Sequence, residues 1–460
     1  MNSRRLDLAR LQELCGSDLP QRGGGDHAVT VVHELGPLAN VWLRPEVIDR
    51  ARAWRDAVNE IPASENRWVA PSPERGQIGI LLATHNPETL PLLRPAFVLP
   101  VEWRRGEKNS QRLPIGLADE ARRVLEDLEL VEPSLHLASW LEEMDADFSA
   151  LEFTTDSAWA ALAAGAIVTH EGGVTLPDVM VSAAWTRERQ KGQGRIRSVQ
   201  SIDHKLAAAA ACGAKWIFVP QENRHEVEAL AADHPGRELQ IDYLPNLSTV
   251  PRAAIATVVS ALQAKPTRDA GADFAQRSNY YVRMPRPKQD TYYRDELLAE
   301  VVAMLEPSVR DDQHLLDIDG IVIIVSESKS IVHLMVGLFD PARVLLLYDG
   351  KMAETISDLV DSLAGMPRAD GQTRQVTHVQ LPEDNALLEG LIQQVSLFSQ
   401  NCRRVAVDLT SGYRHYMFSL VAALPGNGVP MYFDTKLDEV YRTVRPETTD
   451  LHVVQLPSPR

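Results

Sequence analysis

Residues Gly194 to Asn223 read GRIRSVQSIDHKLAAAAACGAKWIFVPQEN, and the fold reading starts from this stretch. The stretch opens, from Gly194, as a strand. A turn follows, then a helix in which Ala207 to Ala211 form one closely packing run. Gly213 stands where a helix ends in the left-handed conformation, which glycine adopts at little cost. Lys215 to Pro220 is short and rich in large apolar residues, as a buried strand is. Asn223 is placed to cap the next helix, HEVEALAA. Read locally, this is a strand–helix–strand unit with Lys205 at the start of its helix.

Working outward, a chain of 460 residues is too long for one core and divides into two or three domains. With 44% apolar and 24% charged residues it has the composition of a globular protein, and no apolar run has the length of a membrane-spanning helix. The charged, amphipathic start, MNSRRLDLARLQELC, lacks a signal-peptide core. Cys15, Cys212 and Cys402 are far apart with no CxxC spacing, so the expectation is a cytoplasmic protein with thiols rather than disulfides or zinc. His33-Glu34 has no second histidine at ligand spacing, and no metal site is expected. A net charge of −16 argues against wrapping long nucleic acid but permits a small phosphorylated ligand held by a few donors. Neither a Walker A pattern nor GxGxxG is present.

Four regions follow. Residues 1–132 carry strand candidates AVTVVHEL, IGILLATH and AFVLPVEW and a helix LADEARRVLEDL. Residues 133–264 hold the stretch quoted above. Residues 265–312 are polar and Pro/Gly-bearing, the character of a connector, and end in a helix. Residues 313–460 alternate strands (IVIIVSES, RVLLLYD, THVQLP, RRVAVDLT, VPMYFDT) with helices, which predicts a doubly wound, parallel, Rossmann-like sheet. The fold class is therefore α/β and multidomain. Ligands in such sheets bind beyond the carboxyl ends of the strands. Those ends carry Ser326, Ser328, Lys329, Asp349, Lys351 and the run from Asp408 to His415.

Within 133–264, LEFTTDSAWAALAAGAIV places Ser157 in the first turn of an Ala-rich helix, where backbone N–H groups and the helix dipole favour an oxyanion. Together with the lysine stretch, this region resembles the proteolytic domain of the Lon family of Ser–Lys peptidases, an α+β domain. The lysine segment matches without a gap: glycine strand, apolar turn, lysine, Ala-rich helix, Gly, strand and Pro-x-Glu-Asn. The family's nucleophile falls on Ser157 and its general base on Lys205. Its orienting threonine falls on Ser182, which keeps the hydroxyl. This sequence departs from the family at Asp156 and Trp159 beside the serine. It departs again at Ser182-Ala183-Ala184 for Thr-Gly-Glu, and at Gln200-Ser201 for the paired glycines before the lysine turn. Trp159 is placed to narrow the substrate side, and Asp156 to perturb Lys205. Chemically the pair is coherent, because a serine needs a base and a lysine serves as one only when desolvation leaves it neutral.

The segment VAVDLTSGYRHYM resembles the signature of CARF domains, Rossmann-fold sensors of cyclic oligoadenylates in CRISPR signalling. Asp408, Thr410, Gly412, Arg414 and Met417 fill the signature positions. The resemblance implies that Thr410, Ser411 and the next helix start hold phosphate or ribose oxygens. Lys329, Lys351, Arg414 and His415 would offset charge, and Tyr413 or Tyr416 would stack on adenine. The combined expectation is an allosterically activated serine endopeptidase of CRISPR antiviral signalling. It would have no ATPase motor, no catalytic cofactor and cyclic oligoadenylate as its activating ligand. It would cleave one or a few partner proteins encoded nearby, as a homodimer or higher oligomer, and no nuclease module is expected after the sensor. Two other readings stand beside it. One is a non-catalytic nucleotide-sensing scaffold, and the other is an enzyme that degrades its own cyclic nucleotide.

Overall fold

A computed structural model describes residues 43–53 in part, 73–84, 94–106, 115–137, 155–190, 192–233, 239–284, 286–325, 329–381, 388–410, 416–417, 420–421, 424 and 426–454. Contacts divide the chain into two units, Met1–Lys265 and Pro266–Arg460. Both are α/β, each built on a six-stranded mixed sheet.

In the first unit the sheet runs β3-β2-β1-β4-β7-β8. Its strands are β1 (Ile78–Ala83), β2 (Ala96–Arg104), β3 (Ser134–Leu137), β4 (Val179–Val181), β7 (Trp216–Pro220) and β8 (Gln240–Leu244). β1, β4, β7 and β8 are parallel, while β2 and β3 add antiparallel on the other side of β1. Alternation along β1 separates two cores. Ile80 and Leu82 face the Ala-rich helix α2 (Trp159–His170) and α1 (Ile115–Asp127). Leu81 and Ala83 face the lysine helix α3 (Ile202–Ala211). Because α2 is mostly small, it is buried on every side from Trp159 to Val168.

The quoted stretch forms its expected elements, but not as a unit of one sheet. β6 (Gly194–Arg197) pairs antiparallel with β5 (Ala184–Arg187) in a separate two-stranded ribbon, whereas β7 joins the main sheet. Gly194 is needed there: a Cβ would lie 2.6 Å from the Trp185 ring and against the Thr186 carbonyl. LPDVMVSAAW, read as one strand, likewise splits after Val181. Gly213 ends α3 at φ +78°, with its N–H on Ala210 O and that of Ala214 on Ala209 O, a Schellman arrangement. The candidate strand AVTVVHEL, His33-Glu34 and Cys15 lie outside the described residues.

The second sheet runs β11-β10-β9-β12-β13-β14. Five strands are parallel, β9 (Gly320–Val325), β10 (Arg343–Tyr348), β11 (Gln375–Gln380), β12 (Val405–Asp408) and β13 (Gly428–Asp434). β14 (Asp450–Val453) closes the edge antiparallel, so the sheet is mixed rather than wholly parallel. Counted within the unit the order is 3-2-1-4-5-6, a Rossmann-like winding whose switch point lies between β9 and β12. Residues read as a connector pack into this unit. Tyr281, Tyr292, Tyr293, Leu297 and Val301 share a core with Ile321, Ile323 and Val332, the last on α4 (Ser330–Phe339). Among the described residues, no helix is long and apolar enough to cross a membrane.

Candidate active site at the carboxyl edge of the first sheet

The serine and lysine helices lie on opposite faces of the first sheet, and both start at the carboxyl end of β1. Ser157 sits in a single 3-10 turn, Asp156–Ala158, that runs directly into α2. Its Oγ donates to the Leu81 carbonyl at 3.4 Å. Two backbone bonds fasten the turn to the end of β4: Ala183 N–H to Ser157 O (3.1 Å) and Ala160 N–H to Ala183 O (3.2 Å). On the other face, Ser201, the residue before α3, reaches Thr84 O with its hydroxyl at 3.4 Å. The residue between the two helices is Ser182. Its N–H continues the β4–β7 ladder onto Phe218 O (3.0 Å), so strand alternation carries through it. Ala183 thus shares the serine face with Val181, and Ser182 shares the lysine face with Met180. The Ser182 hydroxyl is fully buried with no hydrogen-bond partner among the described residues.

Lys205 is 2% exposed. It stands one turn into α3, its N–H on Ser201 O at 3.1 Å, between Ile202, Leu206 and Ala209 of the apolar core. No ion pair or side-chain hydrogen bond reaches its amine among the described residues. Burial alone therefore pushes the ammonium down from its ordinary 10.5 to about 8. At this value a lysine is substantially neutral near pH 8, the state a general base needs.

Three expectations about this site change. Trp159 does not line a substrate side. Its ring is fully buried, stacked on Trp185 at 4.8 Å, and its indole N–H donates to Asp127 Oδ2 (2.9 Å). Asp127 also holds Arg187, so α1, the serine helix and β5 are tied at one carboxylate. Asp156 does not act on Lys205. Its charge acts on Glu120 of α1, a carboxyl raised to about 7 by burial first, with Arg123 opposing and Asp156 and Asp127 adding. Lastly, three N–H groups after Ser157 are engaged: Ala158 with Thr155 O, Trp159 with Asp156 O and Ala160 with Ala183 O. The donors expected of an oxyanion hole at residues 158 to 160 are occupied in this conformation, and no hydrogen bond joins Ser157 to Lys205.

Gln200-Ser201 delivers the lysine turn without glycine, at a cost. Ser201 adopts φ 53°, ψ 43°, the left-handed region that costs a non-glycine residue about 1–2 kcal/mol. Asn223, read as a helix cap, holds this turn instead. Its Oδ1 accepts from Val199 N–H and its Nδ2 donates to Val199 O, both at 2.9 Å. Glu222 beside it accepts from Ser198 N–H at 2.7 Å.

No protein-family model matches the chain, and no curated protein matches it either. Beyond the fold, the functional reading therefore stands on these residues.

In the second unit the candidate ligand residues divide. Ser326, Ser328, Ser411, Gly412, Tyr413, Arg414 and His415 lie outside the described residues. Those described sit at the carboxyl ends of their strands. Asp349 accepts from Lys351 N–H (3.0 Å), a local turn. Asp408 is fully buried and accepts from Thr410 N–H (2.9 Å), while Thr410 Oγ1 accepts from Phe433 N–H (2.8 Å). These two side chains shape the loop after β12 and tie it to β13. Lys329 precedes α4, and its N–H donates to Asp290 Oδ1 at 3.0 Å, so a carboxylate of the chain itself meets this backbone donor. Nothing local in the sequence marks Asp290 for this contact.

Proposed function

We propose that the chain is a Lon-like Ser–Lys peptidase controlled by a CARF-like sensor of cyclic oligoadenylates. The observation that carries the catalytic half is Lys205, a buried amine without a counter-ion among the described residues, on a helix that starts at the same sheet edge as that of Ser157. In the proposed cycle neutral Lys205 takes the Ser157 hydroxyl proton as Oγ attacks a peptide carbonyl. The resulting ammonium gives that proton to the leaving amine, an acyl-serine forms, and water hydrolyses it with Lys205 again as base. Ser182 Oγ, buried on the lysine face, is the group that would orient the amine.

The Ser157–Leu81 bond and the occupied N–H groups fit a resting state of such an enzyme. A ligand that acts on it must bind an assembled state more tightly than this one. The same observations favour the second reading, a nucleotide-binding scaffold whose Lon-like part never assembles. Rossmann-like strand order and the polar strand ends from Lys329 to Thr410 support the sensor half.

The deciding experiment incubates the protein with cyclic tri-, tetra- and hexa-adenylate and with products of neighbouring genes. Cleavage that requires both a nucleotide and Ser157 is expected. Biological output that survives Ser157→Ala would leave the scaffold reading. Loss of the nucleotide itself, independent of Ser157, would point to a nucleotide-cleaving enzyme.

A further inference from the structure

We propose that Asn223 is a positioning residue for Lys205: by holding both polar backbone groups of Val199, its carboxamide keeps Ser201 in the left-handed conformation from which the lysine helix starts. Val199 lies two residues before Ser201. With its N–H and C=O both bonded to one buried side chain, Val199 has the peptide groups on both its sides held by Asn223. Asn223 is itself fixed: it is 4% exposed, sits in a 3-10 turn directly after β7, and gives its second amide proton to Glu226 Oε2 at 3.2 Å. Glu222 clamps the neighbouring Ser198 N–H and is in turn bonded by Asn246 Nδ2. The lysine turn is thus stapled to the end of β7, an interior strand of the main sheet.

The staple is required because Ser201 disfavours its own backbone conformation. Released, Ser201 relaxes to negative φ, and the start of α3 rotates with it, since Lys205 N–H closes its first turn on Ser201 O. Lys205 then leaves its apolar wall for water. Glycine at 201 would adopt this conformation without strain. Asn223 therefore compensates at a distance for the serine.

This rests on the peptidase reading only for its chemical purpose, and the test does not depend on cleavage. The chain has nine lysines, so the full-length protein labelled with carbon-13 at lysine Cε gives a simple spectrum. One resonance, absent in Lys205→Met, is expected to titrate near pH 8. Asn223→Ala should move that midpoint up by a pH unit or more, and Asn223→Ala with Ser201→Gly should bring it back down. Asn223→Asp keeps the acceptor for Val199 N–H and should move it less; this variant carries the test if Asn223→Ala does not fold. A folded Asn223→Ala or Asn223→Asp protein with an unmoved Lys205 midpoint overturns the proposal, as does a shift that glycine at 201 fails to reverse. Absent cleavage with the expected titrations would instead sink the peptidase reading and leave the staple standing.

Discussion

Lys205→Met removes a buried amine and keeps an unbranched side chain of similar length. In the unfolded chain this amine titrates at its ordinary 10.5, and in the folded unit at about 8. At 1.36 kcal/mol per pH decade, the gap corresponds to about 3 kcal/mol of folding free energy. The folded pKa is the lower one, so between pH 8 and 10.5 the unfolded chain holds more protons and wild-type stability rises with pH. Below pH 8 the full penalty is present. The variant should therefore be more stable than wild type by up to about 3 kcal/mol at pH 7, with the advantage fading toward pH 10.5. All eight tryptophans precede Lys265, so urea unfolding followed by tryptophan fluorescence reads the first unit alone. A variant no more stable at pH 7, or an advantage that ignores pH, would mean the ammonium is solvated or paired, and the case for a neutral base would fall with it.

Other outcomes follow from the same geometry. Glu120 has the opposite sign: its folded pKa of about 7 lies above the ordinary 4.5, so its contribution is present below pH 4.5 and lost as pH rises to 7. Glu120→Gln should match wild type at pH 4 and exceed it by about 1–3 kcal/mol at pH 8 in the same unfolding assay. Asp127→Ala leaves the Trp159 indole N–H buried without its acceptor and should cost about 1–3 kcal/mol, seen as a lower urea midpoint. Under the proposed sensor function, Asp290→Ala frees the Lys329 N–H, and calorimetry with cyclic tri-, tetra- and hexa-adenylate should find several-fold tighter binding of the ring the protein takes. Unchanged affinity would place the phosphate elsewhere.

The elements around Lys205 were legible because each has a local cause: Gly213 for the helix end, alanines for close packing, large apolar residues for β7. Long-range partnership was not. Nothing in LPDVMVSAAW announces that its first half enters the main sheet and its second half a ribbon, because both halves have strand composition. Asn223 looked like a cap since asparagine before a helix usually is one; its true partner, Val199, is fixed only by the tertiary fold. Trp159 suggested an obstruction because a residue beside a nucleophile is easily assumed to face it. Helical rotation instead turns it toward Asp127. In the second unit β9 to β13 were readable from alternation, whereas β14 is short, polar and antiparallel. The buried role of Asp408 was invisible because a loop aspartate reads equally as turn former and ligand contact.

The serine helix has no solvent face. It is buried from Trp159 to Val168, while the lysine helix exposes Ala207, Ala210 and Ala211. Local opening draws on the least enclosed elements, so amide hydrogens of residues 160 to 168 should be among the last to exchange and those of α3 should exchange earlier. Bringing Ser157 and Lys205 together therefore draws more readily on α3 than on the body of α2, while the turn at Ser157 must also release its N–H groups. A ligand's influence on it should register as a change in exchange at α3 and at residues 158 to 160, with residues 161 to 168 left untouched.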